Sequence, residues 1–239
     1  MEYVELLRVQ RSLIWHAGIL AVLVIGIIAL GGHSAIHIAG TTGTTTIAPG
    51  VAVPISVLAT IAAFFAAIYA SSVGTSLNRE SSTRDISWTK PLSRTLLALR
   101  FVLIDAAAVV VAFLIALAGV IAVLMYMHVT PVADAQTPEE LLLGAGVGVM
   151  WYGLLQLMTC GFGPGARAMA GILWPVALLL EALGQLQGSI GAMIRAIDVV
   201  NPLAYLTNIG KGPADQALVW FFAAAFCALA IAIWPRREA

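Results

Sequence analysis

Leu103–Met127 reads LIDAAAVVVAFLIALAGVIAVLMYM, and the reading of this stretch decides the fold class. A helix needs about 20 predominantly apolar residues to cross the hydrocarbon core of a bilayer. The run is longer than that, and its only charged residue is Asp105, near its start. It is rich in Ala, Val and Leu and lacks the alternation of a membrane β-strand, so its backbone polar groups must be satisfied within a helix. Working outward, five more segments have the same character: Leu13–Leu30, Pro54–Val73, Leu141–Cys160, Ala168–Leu186 and Ala217–Trp234. Of the 239 residues, 61% are hydrophobic and 10% are charged, against about 25% charged in a soluble domain. The surplus apolar surface must face lipid. The expectation is an all-α, polytopic membrane protein with six transmembrane helices, forming one domain over residues 1–239.

Charge sets the orientation. Net charge is zero and no basic run occurs, which argues against a nucleic-acid partner. With the N-terminus in the cytoplasm, the inner segments hold ten basic residues: Arg8, Arg11, Arg79, Arg84, Lys90, Arg94, Arg100, Arg167, Arg236 and Arg237. The outer segments hold only Arg195 and Lys211. Positive charge favours the inside, so both termini are expected to be cytoplasmic. The Thr-rich loop Gly40–Thr46 and the acidic loop Asp134–Glu140 then fall outside. Trp15, Trp220 and Trp234 fall near span ends, where interfacial aromatics collect. The first segment follows an acidic start rather than a basic one and reads as a retained span. Cys160 and Cys227 lie in apolar stretches and read as buried small hydrophobes. His33 and His37 sit four apart, but no further His, Cys or carboxylate lies nearby to complete a metal site.

Three connecting segments carry more information than the spans. Residues 1–11 place Val4, Leu7 and Arg11 along one line at helical spacing, which fits an amphipathic helix in the membrane plane or a frayed polar tail. In the cytoplasmic loop, Ser82-Thr83-Arg84-Asp85 has the pattern of a capping box. A short helix follows and ends before Pro91, because Lys90 precedes proline. It presents Ile86 and Trp88 between Arg84 and Lys90, as a protein contact or as an anchor in the headgroups. In the outer segment 188–213, Ile190, Met193, Ile194 and Ile197 recur at helical spacing. Asn201-Pro202 breaks this helix, and a second short one is expected over Leu203–Ile209. Both are too short to span, which favours a hairpin dipping into the outer leaflet. A seventh span there would put Arg195 and Asp198 in lipid.

Leu77-Asn78-Arg79-Glu80, followed by Ile86-Ser87-Trp88-Thr89-Lys90-Pro91-Leu92-Ser93-Arg94, resembles the W-T-K-P-hydrophobic-S-R cytoplasmic loop of the ABC type-2 permease family. These are membrane subunits of bacterial ATP-binding-cassette exporters. The layout of the whole chain is similar too, that of a type V ABC exporter. The resemblance implies an N-terminal interfacial elbow helix at residues 1–11, a coupling helix at residues 82–91, and extracellular re-entrant helices at residues 188–213. It implies that Arg84, Asp85, Ile86, Trp88, Lys90 and Pro91 contact a separate cytoplasmic ATPase, with Trp88 in a cleft of that partner. It further implies pairing with a second permease copy or a related one, and location in the bacterial cytoplasmic membrane. ATP and Mg would belong to the partner ATPase, with no cofactor in this chain. No G-x-x-x-x-G-K-[ST] pattern occurs, so hydrolysis by a P-loop is not supplied here.

Ionisable and polar residues inside spans are costly and mark candidates for function. Asp105 lies five residues beyond Arg100, about 7.5 Å along a helix, as a structural ion pair or a transport residue. Glu181 and Gln185 share a face of the fifth span, and Tyr152 and Gln156 share a face of the fourth. These four are candidates to line a translocation path for an amphipathic or lipid-like substrate; the bland alternative is interhelical hydrogen bonding that holds the bundle. Gly144 and Gly148 form a small-xxx-small pattern suited to close packing. Enzyme chemistry finds little footing: Glu139-Glu140 is followed by Gly144 where an intramembrane prenyl-protease needs arginine, and no G-x-S-x-G occurs. A secondary transporter or channel subunit is the remaining alternative. A topology reporter fused after Ala239 is expected to read cytoplasmic; a periplasmic signal would sink the six-span arrangement.

Overall fold

The computed structural model describes residues 2–31, 36–40, 43–47, 52–77, 93–160, 165–184, 186–209 and 213–237. Helices dominate: α1 (Glu2–Gly31), α2 (Ile55–Val73), α3 (Arg94–Tyr126), α4 (Thr137–Thr159), α5 (Ala166–Gly184), α6 (Ser189–Asp198) and α7 (Pro213–Arg237), with a 3-10 segment at Pro202–Asn208. By length and apolar composition, α1, α2, α3, α4 and α7 can each cross a membrane. Helix α5 is apolar over Ala168–Gly184 but shorter, so among the described residues five helices, not six, meet that criterion. A proline inside it, Pro175, removes one backbone donor from its ladder.

Two expectations need correction. Residues 2–11 do not form a separate helix before the first span; they continue into α1 without a break. Nothing between Arg11 and Leu13 can stop a helix: there is no proline or glycine, and the Ser12 hydroxyl pairs with that of Ser72 on α2 at 3.1 Å. The all-α expectation also misses short strands. Strands β1 (Ile36–Gly40) and β2 (Gly43–Ile47) pair antiparallel, with Ile36 opposite Ile47 and Gly40 opposite Gly43, where a Thr-rich loop is expected. Threonine is β-branched and favours extended backbone, and a two-residue link is a common hairpin connection. Strand β3 (Ala52–Pro54) runs parallel to β4 (Thr130–Val132). That pair joins the approach to α2 with the exit from α3 over a small apolar cluster of Val53, Leu58, Val123, Leu124 and Met127.

Helix α4 is the hub. It packs on α2, α3, α5 and α7, and Met150, Trp151, Tyr152, Leu155 and Gln156 are fully buried. Its glycines permit this. A Cβ on Gly148 would stand 3.0 Å from both Ala66 Cβ on α2 and Val109 Cγ1 on α3. One on Gly153 would stand 3.1 Å from the Ala223 carbonyl oxygen on α7. Gly144, one turn before Gly148, is similarly close to Phe113 of α3. Helix α1 is the opposite case: it packs mainly on α3 and leaves Ile14, Trp15, Ile19, Val22 and Ile25 exposed. Trp234, expected at an interface, is buried instead.

A side chain at position 148 must push α2 and α3 off the hub. Gly148→Leu is expected to destabilise the protein by about 1–3 kcal/mol, read as a lowered melting temperature in detergent. Gly18→Ala, where an added Cβ meets nothing within 4 Å, should not lower it.

Candidate functional site

Glu5 and Arg8 lie one turn apart on α1 and share a face. Arg8 Nε donates to Glu5 Oε1 at 2.9 Å. Arg8 Nη2 donates to that same oxygen and, at 2.6 Å, to Asp105 Oδ1 on α3. Asp105 is 0% and Glu5 1% exposed, while the Arg8 side chain is 34% exposed. The second oxygen of Asp105 accepts from the Tyr152 hydroxyl on α4 at 3.1 Å. One turn further, Gln156 Nε2 donates to the Tyr152 oxygen at 3.0 Å and to Ser76 Oγ at 2.5 Å. Gln156 Oε1 accepts from the Leu77 N–H at 3.3 Å. An unbroken chain of polar contacts therefore runs from α1 through α3 and α4 to Ser76 and Leu77, just beyond the end of α2.

Asp105 pairs with Arg8, not with Arg100. The spacing explains the correction: five residues of helix turn a side chain well off the face of its neighbour, whereas three or four bring it back. Arg8 arrives from another helix at the right height. A further polar joint lies beside the first. The indole N–H groups of Trp151 on α4 and Trp174 on α5 both donate to Ser71 Oγ on α2, each at 2.9 Å, and their rings lie 4.6 Å apart.

Glu181 does not join Tyr152 and Gln156. It lines a cavity of about 360 Å³ at the far end of α5, with Arg195, Asp198, Tyr205 and Asp215. The four candidate path residues therefore do not form one seam among the described residues; Gln185 lies outside them. In this second site Arg195 Nη1 donates to the carbonyls of Gly184 at 2.8 Å and Leu186 at 3.2 Å, closing the C-terminal end of α5 as a cation does well. Asn201 is the joint between α6 and the 3-10 segment. Its amide donates to Ala177 O at 2.9 Å and Asp198 Oδ1 at 2.7 Å, and its oxygen caps Leu203 N–H at 3.1 Å. The Tyr205 hydroxyl donates to Val199 O at 2.7 Å. Burial pushes this phenol above its ordinary range, and Asp215 and Asp198 add to the shift.

Arg84, Asp85, Ile86, Trp88, Lys90 and Pro91, expected to contact a partner ATPase, lie outside the described residues. Sequence reasoning missed Glu5, Arg8 and Ser76 in the first cluster and Asp198, Asn201 and Tyr205 in the second. The i,i+3 spacing of Glu5 and Arg8 was a signal that both are held on one face; nothing in the sequence pointed them at Asp105. Among the described residues no three His, Cys, Asp or Glu side chains gather as a metal site. No family model matches the chain, and no curated protein or solved structure matches it.

Removing one partner of a buried ion pair leaves the other uncompensated, which costs about 3–5 kcal/mol. Arg8→Met is expected to destabilise the protein by that amount, measured by unfolding in detergent. In a background carrying both Glu5→Gln and Asp105→Asn, which leaves no carboxylate for Arg8 to offset, the same change should cost much less. Equal costs in the two backgrounds would mean that Arg8 does not interact with the two carboxyls.

Proposed function

We propose that the chain is the membrane-spanning permease subunit of an ATP-binding-cassette exporter of the type-2 class. In this reading it has six spans, with α5 completing the set, both termini in the cytoplasm of a bacterium, and a second permease beside it. ATP hydrolysed by a separate ATPase drives an amphipathic or lipid-like substrate outward.

The observation that carries the proposal is the segment Trp88-Thr89-Lys90-Pro91-Leu92-Ser93-Arg94 together with the anchoring of its two ends. Leu77, which leads into the loop, is fully buried and held by Gln156. Arg94, which leaves it, starts α3, the helix that carries Asp105. A push on the loop by a partner therefore meets two helix ends tied through Gln156, Tyr152 and Asp105 to α4, and through Arg8 to α1. Coupling between sites needs such a contiguous packed or hydrogen-bonded element with two arrangements, and this chain of contacts is the candidate.

A secondary transporter or channel subunit is the second reading. It is favoured by the same cluster, because buried ionisable side chains in spans also line ion pathways. The partner separates the two readings. When the chain is purified with its tagged genomic neighbours, an ATPase carrying a P-loop is expected to copurify, and Trp88→Ala is expected to reduce its recovery at least tenfold without lowering the permease's melting temperature. No ATPase in the complex, or recovery unchanged by Trp88→Ala, would overturn the exporter assignment.

A further inference from the structure

Glu5 Oε1 and Asp105 Oδ1 bond the same nitrogen, Arg8 Nη2, so the two carboxyls meet across a single guanidinium. With both ionised, the cluster carries one negative charge more than Arg8 can offset. Among the described residues no neighbour supplies the missing cation. The charges acting on Asp105 are those of Arg8 and Glu5. The other titratable groups that face the cluster are Tyr69 from α2, Tyr152 from α4 and, behind Tyr152, Cys227 from α7, all neutral when protonated. His16, the next ionisable group along α1, packs edge-on against Tyr69 at 5.2 Å. Its buried Nε2 has no hydrogen-bond partner, so the site offers no acceptor for the second N–H of an imidazolium.

We propose that Glu5 and Asp105 hold one proton between them, making the Arg8 cluster a neutral proton-binding site that clasps α1 to α3 and α4. Two carboxylates that share a site do not both ionise, and one retains its proton. At membrane depth the alternative, an unpaired buried charge, is far costlier than neutralisation. The balance is simple: one carboxylic acid, one carboxylate and one guanidinium sum to zero. The proton comes from the aqueous phase on the side where Arg8 is partly exposed, and no other bond changes. Its loss leaves one uncompensated negative charge in the clasp. With α1 released and both carboxyls opened to water, each ionises, so the docked arrangement binds one proton more than the released one; docking is favoured at low pH and weakens as pH rises through the titration of the site. This inference goes beyond the exporter reading and does not depend on it.

The test is infrared spectroscopy of the full chain in lipid nanodiscs. At neutral pH the wild type should show the carbonyl stretch of a buried, protonated carboxylic acid that shifts in deuterated buffer. Glu5→Gln and Asp105→Asn each leave one carboxylate with Arg8 and should each lose this band, while Glu181→Gln should keep it. A wild type without the band, or a band that survives both changes, overturns the proposal. A second measurement stands if Asp105→Asn does not fold. Spin labels at Ile19→Cys on α1 and Leu114→Cys on α3, both exposed, with Cys160 and Cys227 replaced by alanine, report the distance between the helices. It should be narrow at low pH and broaden with rising pH in the wild-type cluster, but stay unchanged in Glu5→Gln. Equal broadening in both would show that the shared proton does not govern docking.

Discussion

A buried charge in a membrane bundle must find its counter-charge, and here that constraint falls on Asp105. The carboxylate has no exposure at all, so its charge must be met by protein groups. Arg8 reaches it from α1 and Tyr152 from α4. These contacts bring three helices together at one height, and Gln156 extends the set to α2. Apolar packing in lipid cannot do this, because lipid tails are as apolar as the side chains they would replace. The polar cluster thus supplies register where hydrophobicity supplies only residence in the membrane.

The rest of the bundle follows from how close α4 can come to its neighbours. Glycines 144 and 148 face α2 and α3, and Gly153 faces α7, each without room for another carbon. Close approach gains dispersion contacts and shortens interhelical hydrogen bonds, the main sources of association between helices in lipid. Ser71 shows the result, since one hydroxyl on α2 accepts from two indoles on two different helices. Helix α1 lacks such glycine-mediated contacts, as Gly18 and Gly26 meet nothing within 4 Å. It is attached to α3, to Asp105 through Arg8, and to α2 through the Ser12 and Ser72 hydroxyls.

The two ends of the bundle are built differently. At the Asp105 end the polar groups are buried and mutually satisfied, and the loop that leaves this end begins at a residue held by Gln156. At the Glu181 end, acidic side chains from α5, α6 and α7 surround an open cavity beside Tyr205, and Asn201 joins the short helices by three hydrogen bonds. The first end is closed by hydrogen bonds between helices. The second is an open cavity bounded by α5, α6, the 3-10 segment and the start of α7.

The helical class and the apolar runs long enough to cross a membrane were legible in the sequence alone, because such a run has one way to satisfy its backbone in lipid. Local grammar was legible as well: the break at Asn201-Pro202 and the shared face of Tyr152 and Gln156 are properties of neighbouring residues. Pairing across helices was not. Asp105 could be read as costly, but its partner could not be read from Arg100, the nearest basic residue in the chain, since the choice depends on which helix stands opposite and at what height. The same holds for Glu181, which shares polarity with Gln156 but stands at the other end of the bundle. Whether residues 2–11 lie apart from α1 or continue it was also decided in three dimensions, where Arg8 finds its counter-charge only if the helix runs on unbroken past Ser12.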